Sequence, residues 1–245
     1  MLCVKLLIPM LKLLNISVFA GDKEIINDFS YFFKKGKIYI LMGPNGSGKS
    51  TLAFSILGHP DYKLGKTSKI YFKNKNITNL KTYKRVQMGL FMTFQNPETI
   101  SGLSVYSFLR AATEKTISKE NLYKKVLEIA KVLQISEDLL FNGLNESTSG
   151  GEKKKLEILQ SIILNKDLNI FDEIDSGVDI DSLKIISNLL MKHKNNKTYI
   201  IITHYNRILQ YIKPDKVLVL KNGRLIKTGN LKLLNKIEKK GFKNI

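Results

Sequence analysis

A glycine-rich run between an apolar stretch and a helical pattern is the part of this chain best suited to chemistry. It reads GPNGSGKST, after the apolar residues Ile38–Met42 and before a segment with helical spacing of its apolar residues. The glycines let the backbone curl so that successive N–H groups point at phosphate oxygens, while Lys49 adds a cation and Ser50 a hydroxyl for Mg²⁺. The run therefore predicts a nucleoside-triphosphate site made of Gly43, Pro44, Asn45, Gly46, Ser47, Gly48, Lys49, Ser50 and Thr51.

Two adjacent acids end another apolar strand, Leu168–Phe171, and extend the predicted chemistry. Asp172, at the strand tip, is placed to contact Mg²⁺ directly or through water. Glu173, one residue on, can reach an attacking water as a general base. The pair predicts metal-assisted hydrolysis of the bound triphosphate.

A second anion-binding turn precedes a later helix, and two polar residues follow other apolar strands. Ser149, Gly150 and Gly151 form the turn, at a helix N-terminus that favours negative charge. A chain with two phosphate-cradling turns far apart in sequence is suited to clamping ATP between two copies of itself. Gln95 and His204 each follow an apolar strand, and His204 is a candidate partner for the γ-phosphate.

Composition narrows the function classes. The net charge is +19, but the lysines are scattered and form no long block, so the charge favours compositional drift over a nucleic-acid partner. The single cysteine, Cys3, can make no intrachain disulfide and cannot hold a metal cluster alone, which suits a reducing compartment. No run approaches the ~20 apolar residues that span a bilayer, so no membrane segment is expected.

Short strands on both sides of a long helical middle must position these residues. We predict an α/β fold in which a phosphate-loop lobe is interrupted by helices at about residues 97–164. The predicted strands are Leu11–Val18, Ser30–Phe33, Lys37–Met42, Lys69–Phe72, Leu168–Phe171 and Tyr199–Ile202, followed by a hairpin of Val217–Leu220 and Arg224–Lys227 around Asn222-Gly223.

Taken together and in order, these motifs resemble those of the ATP-binding cassette (ABC) ATPases over essentially the whole chain. The resemblance implies a RecA-like α/β core, an N-terminal antiparallel β subdomain and an inserted helical subdomain. We expect one domain at residues 10–245, because Met10 begins a clean strand pattern, and we expect residues 1–9 to be either an extension or the result of a start assigned at Met1 instead of Met10.

The resemblance also implies an ATP-dependent, head-to-tail homodimer with two ATP molecules and Mg²⁺ at its interface. Lys49 and Ser50 would hold phosphate and metal, Asp172 would bind the metal, and Gln95 would link it to the helical subdomain. The remaining implied roles are γ-phosphate contact across the dimer for Ser149 and Gly151, an interface crossing for Asp179, water polarisation for Glu173, and transition-state stabilisation for His204. Phe19 lies near the position of the adenine-stacking aromatic, and packing within the sheet is the alternative role for it.

Several details are similar to the SufC subfamily, the ATPases of iron–sulfur cluster assembly. They are Ile174-Asp175 before Ser-Gly, the run SGGEKKK, FMTFQNPETISGLS around Gln95, THYNRILQYIKPD around His204, and Gly58–Tyr62, with departures at Asn96 and Ser101. This similarity implies a cytoplasmic protein, or a plastid stromal one if encoded by an organelle, that works with a SufB/SufD-like scaffold. The nucleotide-binding subunit of a membrane ABC transporter and a DNA-associated ABC ATPase remain as alternatives.

Overall fold

A computed structural model describes residues 9–95, 97, 99–146, 148–195, 197–203 and 207–242. The elements before the helical middle are β1 Pro9–Ala20, β2 Lys23–Lys34, β3 Ile38–Met42, α1 Lys49–Leu57, β4 Tyr62–Leu64, β5 Lys69–Phe72, β6 Lys75–Asn76, α2 Thr82–Met88 and β7 Leu90–Met92. The elements that follow are β8 Ile100–Ser104, α3 Val105–Thr113, α4 Lys119–Leu133, α5 Glu137–Phe141, β9 Gly143–Leu144, α6 Gly150–Leu164, β10 Leu168–Asp172, α7 Ile180–Lys192, β11 Thr198–Ile202, a 3₁₀ turn Ile208–Gln210, β12 Lys216–Lys221, β13 Arg224–Gly229 and α8 Leu231–Lys240.

A six-stranded sheet forms the centre of the fold, in the order β13-β12-β3-β11-β10-β7. Neighbouring strands from β12 to β7 are parallel, and β13 pairs antiparallel with β12 at the edge. Every residue of β3, β10 and β11 is buried, as their continuous apolar runs predict. Because the carboxyl ends of parallel strands share one edge, the segments after β3, β7, β10 and β11 meet there. The predicted α/β class is confirmed.

A second, antiparallel sheet carries β2-β1-β5-β6, with β4 also paired to β1. The strand β2 begins at Lys23, seven residues before its predicted start at Ser30. Its first half contains Asn27 and Asp28, which disfavour strands, and Asp28 has a left-handed φ of 49° where the register with β1 shifts. Pairing with β1 along its whole length outweighs that local preference.

The helical middle packs onto one face of the six-stranded sheet. In α4 the predicted apolar stripe is buried, and it belongs to the same core cluster as side chains of β3 and β11. The structure adds a short pairing of β8 with β9 between the helices. The division into an extension of residues 1–9, a domain of 10–245 and a helical subdomain at about 97–164 stays a prediction, and residues 1–8 of that extension lie outside the described part of the chain.

The buried guanidinium of Arg85 joins α1 to α2. It donates to the carbonyl oxygens of Ser55 and Ile56 at 2.9 and 2.7 Å, and to those of Thr78 and Leu80 at 2.8 Å each. The first two carbonyls belong to the last turn of α1, where a helix has no internal donors left. Arg85 therefore fixes the C-terminal end of the helix that follows the phosphate loop.

We expect the substitution Arg85→Met to lower the free energy of unfolding by about 2–4 kcal/mol, because it strips buried carbonyls of their donors. Urea unfolding followed by circular dichroism measures the loss. Arg110→Met on the exposed side of α3 is the control and should cost less than about 0.5 kcal/mol. Equal losses in the two variants would contradict the role of Arg85.

Candidate active site

The glycine-rich loop connects β3 to α1 in the predicted strand–loop–helix order. Gly46 and Gly48 have φ values of 73° and 98°, a left-handed region that only glycine adopts freely. Gly48 is the N-cap of α1, and no side chain caps this helix start. The first N–H groups of α1 therefore remain as donors for an anion in front of the helix.

Backbone contacts hold this loop in shape. A Cβ on Gly43 would lie 2.0 Å from the carbonyl oxygen of Leu220 in β12. The N–H of Gly223, in the β12–β13 turn, donates to the carbonyl of Ser47 at 3.1 Å, and the carbonyl of Gly223 accepts from the N–H of Asn27 at 3.0 Å. The predicted Asn222-Gly223 turn thus also braces the phosphate loop against the antiparallel sheet.

The ammonium group of Lys49 lies over the loop. It donates to the carbonyl oxygens of Gly43 and Pro44 at 3.0 and 2.9 Å. Burial lowers the pKa of Lys49, and the nearby carboxylates of Glu173 and Asp172 act against that shift. Lys49 is a buried cation in front of a helix N-terminus, which is the charge that a triphosphate needs.

An open cleft of about 440 Å³ lies along the loop. The residues lining it are Asn45, Gly46, Gly48, Lys49, Ser50, Thr51, Gln95, Glu173 and Ser176. The structure therefore brings together the phosphate loop, Gln95 and Glu173 from three separate parts of the sequence. None of the lining residues is aromatic, and Phe19 lies in β1 opposite Glu24 and Lys63.

Asp172 ends β10 and is fully buried behind the loop. Neither of its carboxylate oxygens accepts a hydrogen bond of good geometry from the residues the structure describes. Burial raises its pKa, and the approach of the Ser50 hydroxyl, Lys154 and Lys49 opposes the shift. A buried carboxylate beside a hydroxyl is an oxygen donor set that fits Mg²⁺, which takes a few protein oxygens and completes its shell with phosphate and water.

Glu173 and Gln95 face each other across the cleft. The Nε2 of Gln95 donates to a carboxylate oxygen of Glu173 at 2.9 Å. Glu173 has a left-handed φ of 51°, and its N–H donates to the carbonyl of Ile202 at the end of β11. The backbone turn after β10 thus sends the two acids in different directions, Asp172 into the interior and Glu173 into the cleft.

The second predicted anion-binding turn lies elsewhere on the chain. Ser149 caps α6 in a reciprocal arrangement with Glu152, whose side chain accepts from the Ser149 N–H at 2.8 Å. Ser149, Gly150 and Gly151 are not among the residues lining the cleft. Asp179 is exposed and caps α7 by accepting from the N–H of Ser182, which lowers its pKa.

Two predicted positions lie outside the described residues. They are His204, the expected γ-phosphate partner, and Asn96, one of the departures from the SufC pattern. Ser101, the other departure, is exposed in β8.

The sequence reasoning missed a buried polar cluster behind the cleft. Lys154 and Glu157 of α6 form an ion pair at 3.3 Å, with both side chains about 6% exposed. Burial raises the pKa of Glu157 to about 7, and Lys154 opposes the shift. The available signal was their spacing, because they share the buried face of α6 with Ile158 and Ser161.

The sequence pattern identified Asp175 only as part of the run that is similar to the SufC subfamily. It is buried, and its carboxylate accepts from the hydroxyl of Thr203 at 2.7 Å. Burial raises the pKa of Asp175, and the Thr203 hydrogen bond opposes that shift. Asp175 thus ties the loop after β10 to the residue that follows β11.

Two features are absent from the described residues. No helix in those segments is long and apolar enough to cross a membrane. The same segments contain no group of three or more His, Cys, Asp or Glu side chains that could hold a metal ion. A cation at Asp172 would therefore depend on the hydroxyl and amide groups nearby and on substrate phosphates.

Comparison with known proteins gives consistent matches. The family model described as "ABC transporter" matches residues 26–176. A probable ATP-dependent transporter, ycf16, from Trieres chinensis is 42% identical, covering 96% of both chains. The probable ATP-dependent transporter SufC from Escherichia coli is 39% identical, covering 95% of this chain and 97% of its own. A crystallised ATP-binding cassette of an ABC transporter superposes with a TM-score of 0.75 at 28% identity, covering 94% of this chain and 96% of its own.

Two substitutions should affect ATP binding and ATP hydrolysis separately. Glu173→Gln should retain ATP affinity and lose hydrolysis by about 100-fold or more, because the amide cannot accept a proton from water. Lys49→Ala should instead weaken ATP binding itself, because it removes the buried cation of the loop.

Phosphate release and the binding of a fluorescent ATP analogue measure the two effects. Glu120→Gln, on the exposed first turn of α4, is the control and should behave as the parent protein. Turnover of Glu173→Gln at the parent rate would exclude Glu173 as the base.

Proposed function

This chain belongs to the ABC transporter family of ATPases, and we propose that it is the ATP-hydrolysing subunit of an iron–sulfur cluster assembly machine. It binds and hydrolyses ATP as the family does. The finer assignment depends on its similarity to SufC over nearly the full length of both chains, which is the observation that carries this proposal.

In the proposed site, the triphosphate lies along the loop of residues 43–51. The N–H groups at the start of α1 and the ammonium of Lys49 bind the phosphate oxygens. In the structure, Lys49 donates hydrogen bonds to two loop carbonyls. When ATP binds, it would donate instead to charged phosphate oxygens, which are stronger acceptors. The expected contributions from Asn45, Gly46 and Thr51 are supported by their place in the cleft lining.

Magnesium would be held by the hydroxyl of Ser50, the carboxylate of Asp172 and the side chain of Gln95. Bound there, it would neutralise charge on the phosphates. The burial of Asp172 without a well-placed donor supports this assignment, since an unpaired buried carboxylate costs free energy.

Glu173 is the proposed general base. Its carboxylate faces the cleft, where it can accept a proton from a water that attacks the γ-phosphate. The hydrogen bond from Gln95 keeps that carboxylate oriented. His204 is proposed to stabilise charge on the γ-phosphate, an assignment that rests on sequence.

Two copies of the chain are proposed to close head to tail on two ATP molecules. Ser149, Gly150 and Gly151 are suited to an anion but do not line their own chain's cleft, which supports a role toward the partner's nucleotide. Asp179 is exposed and follows Gly177, whose carbonyl oxygen would lie 3.6 Å from a Cβ on Gly151, and it would cross the same interface. Closure would then depend on ATP, because the nucleotide joins the two surfaces.

The proposed partners are SufB/SufD-like scaffold proteins on which the cluster is built, with no direct nucleic-acid partner. The chain has a single cysteine, so iron and sulfur ligands would come mainly from such a scaffold. We propose a cytoplasmic location, or the plastid stroma for an organelle-encoded protein. In either, ATP-driven closure would deform the scaffold.

An affinity purification tests the partner assignment. The tagged Glu173→Gln protein is isolated from its native cell in Mg-ATP, and the co-purifying proteins are identified by mass spectrometry. We expect SufB/SufD-like proteins, because the variant should hold the ATP-closed dimer. Lys49→Ala, tagged in the same way, is the matched control and should recover fewer of them.

Recovery of an integral-membrane permease instead would contradict the cluster-assembly role. It would favour the transporter subunit, which shares the ATP chemistry and is the function that the names of the relatives suggest.

A further inference from the structure

The buried pair Lys154–Glu157 makes hydrogen bonds to backbone groups outside its own helix, α6. Glu157 accepts the N–H of Phe94 at 2.6 Å, and Lys154 donates to the carbonyl of Phe94 at 2.6 Å. Both polar groups of one residue's backbone, immediately before Gln95, are thus bound by side chains of a distant helix. We propose that Glu157, supported by Lys154, is a positioning residue that sets where Gln95 lies in the cleft.

Sheet pairing of the segment after β7 stops one residue before Phe94, whose ring stacks on that of Phe54. The strand β7 ends at Met92, and the N–H of Thr93 continues its pairing by donating to the carbonyl of Ile170 at 2.9 Å. Phe94 is the first residue past this ladder, and its ring is 38% exposed. Its backbone is therefore held by charged side chains where sheet pairing stops.

The same lysine reaches the other half of the site. Lys154 lies 3.4 Å from the carbonyl of Gln95 and 3.5 Å from that of Asp172. The ammonium thus lies between the two segments that place Gln95 and Asp172. Hydrogen bonds to charged groups are stronger than neutral ones, so this arrangement resists displacement of either segment.

The geometry also links two functional regions through one helix. The helix α6 begins at the turn Ser149-Gly150-Gly151, and Lys154 and Glu157 lie one to two turns further on. Any tilt of α6 moves Glu157 and, with it, the backbone before Gln95. A contact that tilted α6 from its first turn would therefore also shift the backbone before Gln95 in the same chain.

The substitution Glu157→Gln tests this inference, which rests on the proposed role of Gln95 in hydrolysis. The amide keeps the shape but has only one acceptor oxygen, so it can accept from the Phe94 N–H or from the Lys154 ammonium and turns a donor toward the other. We expect kcat to fall about ten-fold and the Mg²⁺ concentration for half-maximal rate to rise, while Mg-free ATP affinity stays within about two-fold. Glu157→Asp keeps the charge and should recover part of the rate.

A double-mutant cycle with Gln95→Ala separates positioning from general loss of structure. If Glu157 acts through Gln95, adding Glu157→Gln to Gln95→Ala should lower kcat by less than about two-fold further. Glu128→Gln, exposed on α4, is the matched control and should leave every parameter unchanged. Thermal unfolding checks that each variant is folded. If Glu157→Gln does not fold, Glu157→Asp replaces it in the double-mutant cycle.

Three results would overturn the inference, and the third would do so by removing its premise. One is a full, multiplicative loss when Glu157→Gln is added to Gln95→Ala, and another is a parent-like kcat for Glu157→Gln. A Gln95→Ala protein with parent-like kcat would instead remove the proposed role of Gln95 itself, and the inference would fall with it. None of these results bears on the partners, which the affinity purification tests separately.

Discussion

The architecture of the site depends on how closely the phosphate loop is packed by backbone. Gly43 leaves no room for a side chain against the carbonyl of Leu220, and Gly223 leaves none against Ile25, whose carbonyl oxygen would lie 2.2 Å from an added Cβ. Strand β12, the turn after it and strand β2 therefore meet the loop at main-chain distances. The N–H groups proposed to bind phosphate are held in direction by backbone atoms, which have no rotamers, so they would need little reorganisation when an anion enters.

The sequence predicted which residues meet in the cleft better than it predicted the contacts that hold them there. The loop, Gln95 and Glu173 lie in one cleft because each follows a parallel strand, and strand ends of a parallel sheet share an edge. The buried apolar strands β3, β10 and β11 were equally predictable from composition. These features follow from local sequence patterns, namely the apolar runs that form the strands and the polar residues that come directly after them.

The features that were missed depend on tertiary contact. The early start of β2 overrides unfavourable residues by pairing with β1, and α2 is anchored by the buried Arg85 rather than by an apolar stripe. Lys154 and Glu157 look like ordinary solvated charges in a lysine-rich segment, yet both are buried. A charged residue on the apolar face of a helix is the sign that could have revealed them, since such burial requires partners.

The hydrogen bonds by which Arg85 joins α1 to α2 affect how the protein responds to salt. The chain carries a net charge of +19, so much of its surface is self-repelling and is screened by dissolved ions over about 8–10 Å. Arg85 is bound to uncharged carbonyls, and although burial lowers its pKa to about 10, it stays protonated at neutral pH. Its hydrogen bonds thus have no counter-charge for salt to shield. We expect added salt to stabilise the lysine-rich surface and to leave the Arg85 contacts at the end of α1 unchanged. The loop of residues 43–51, which precedes α1, should therefore keep its shape at salt concentrations that alter the rest of the molecule.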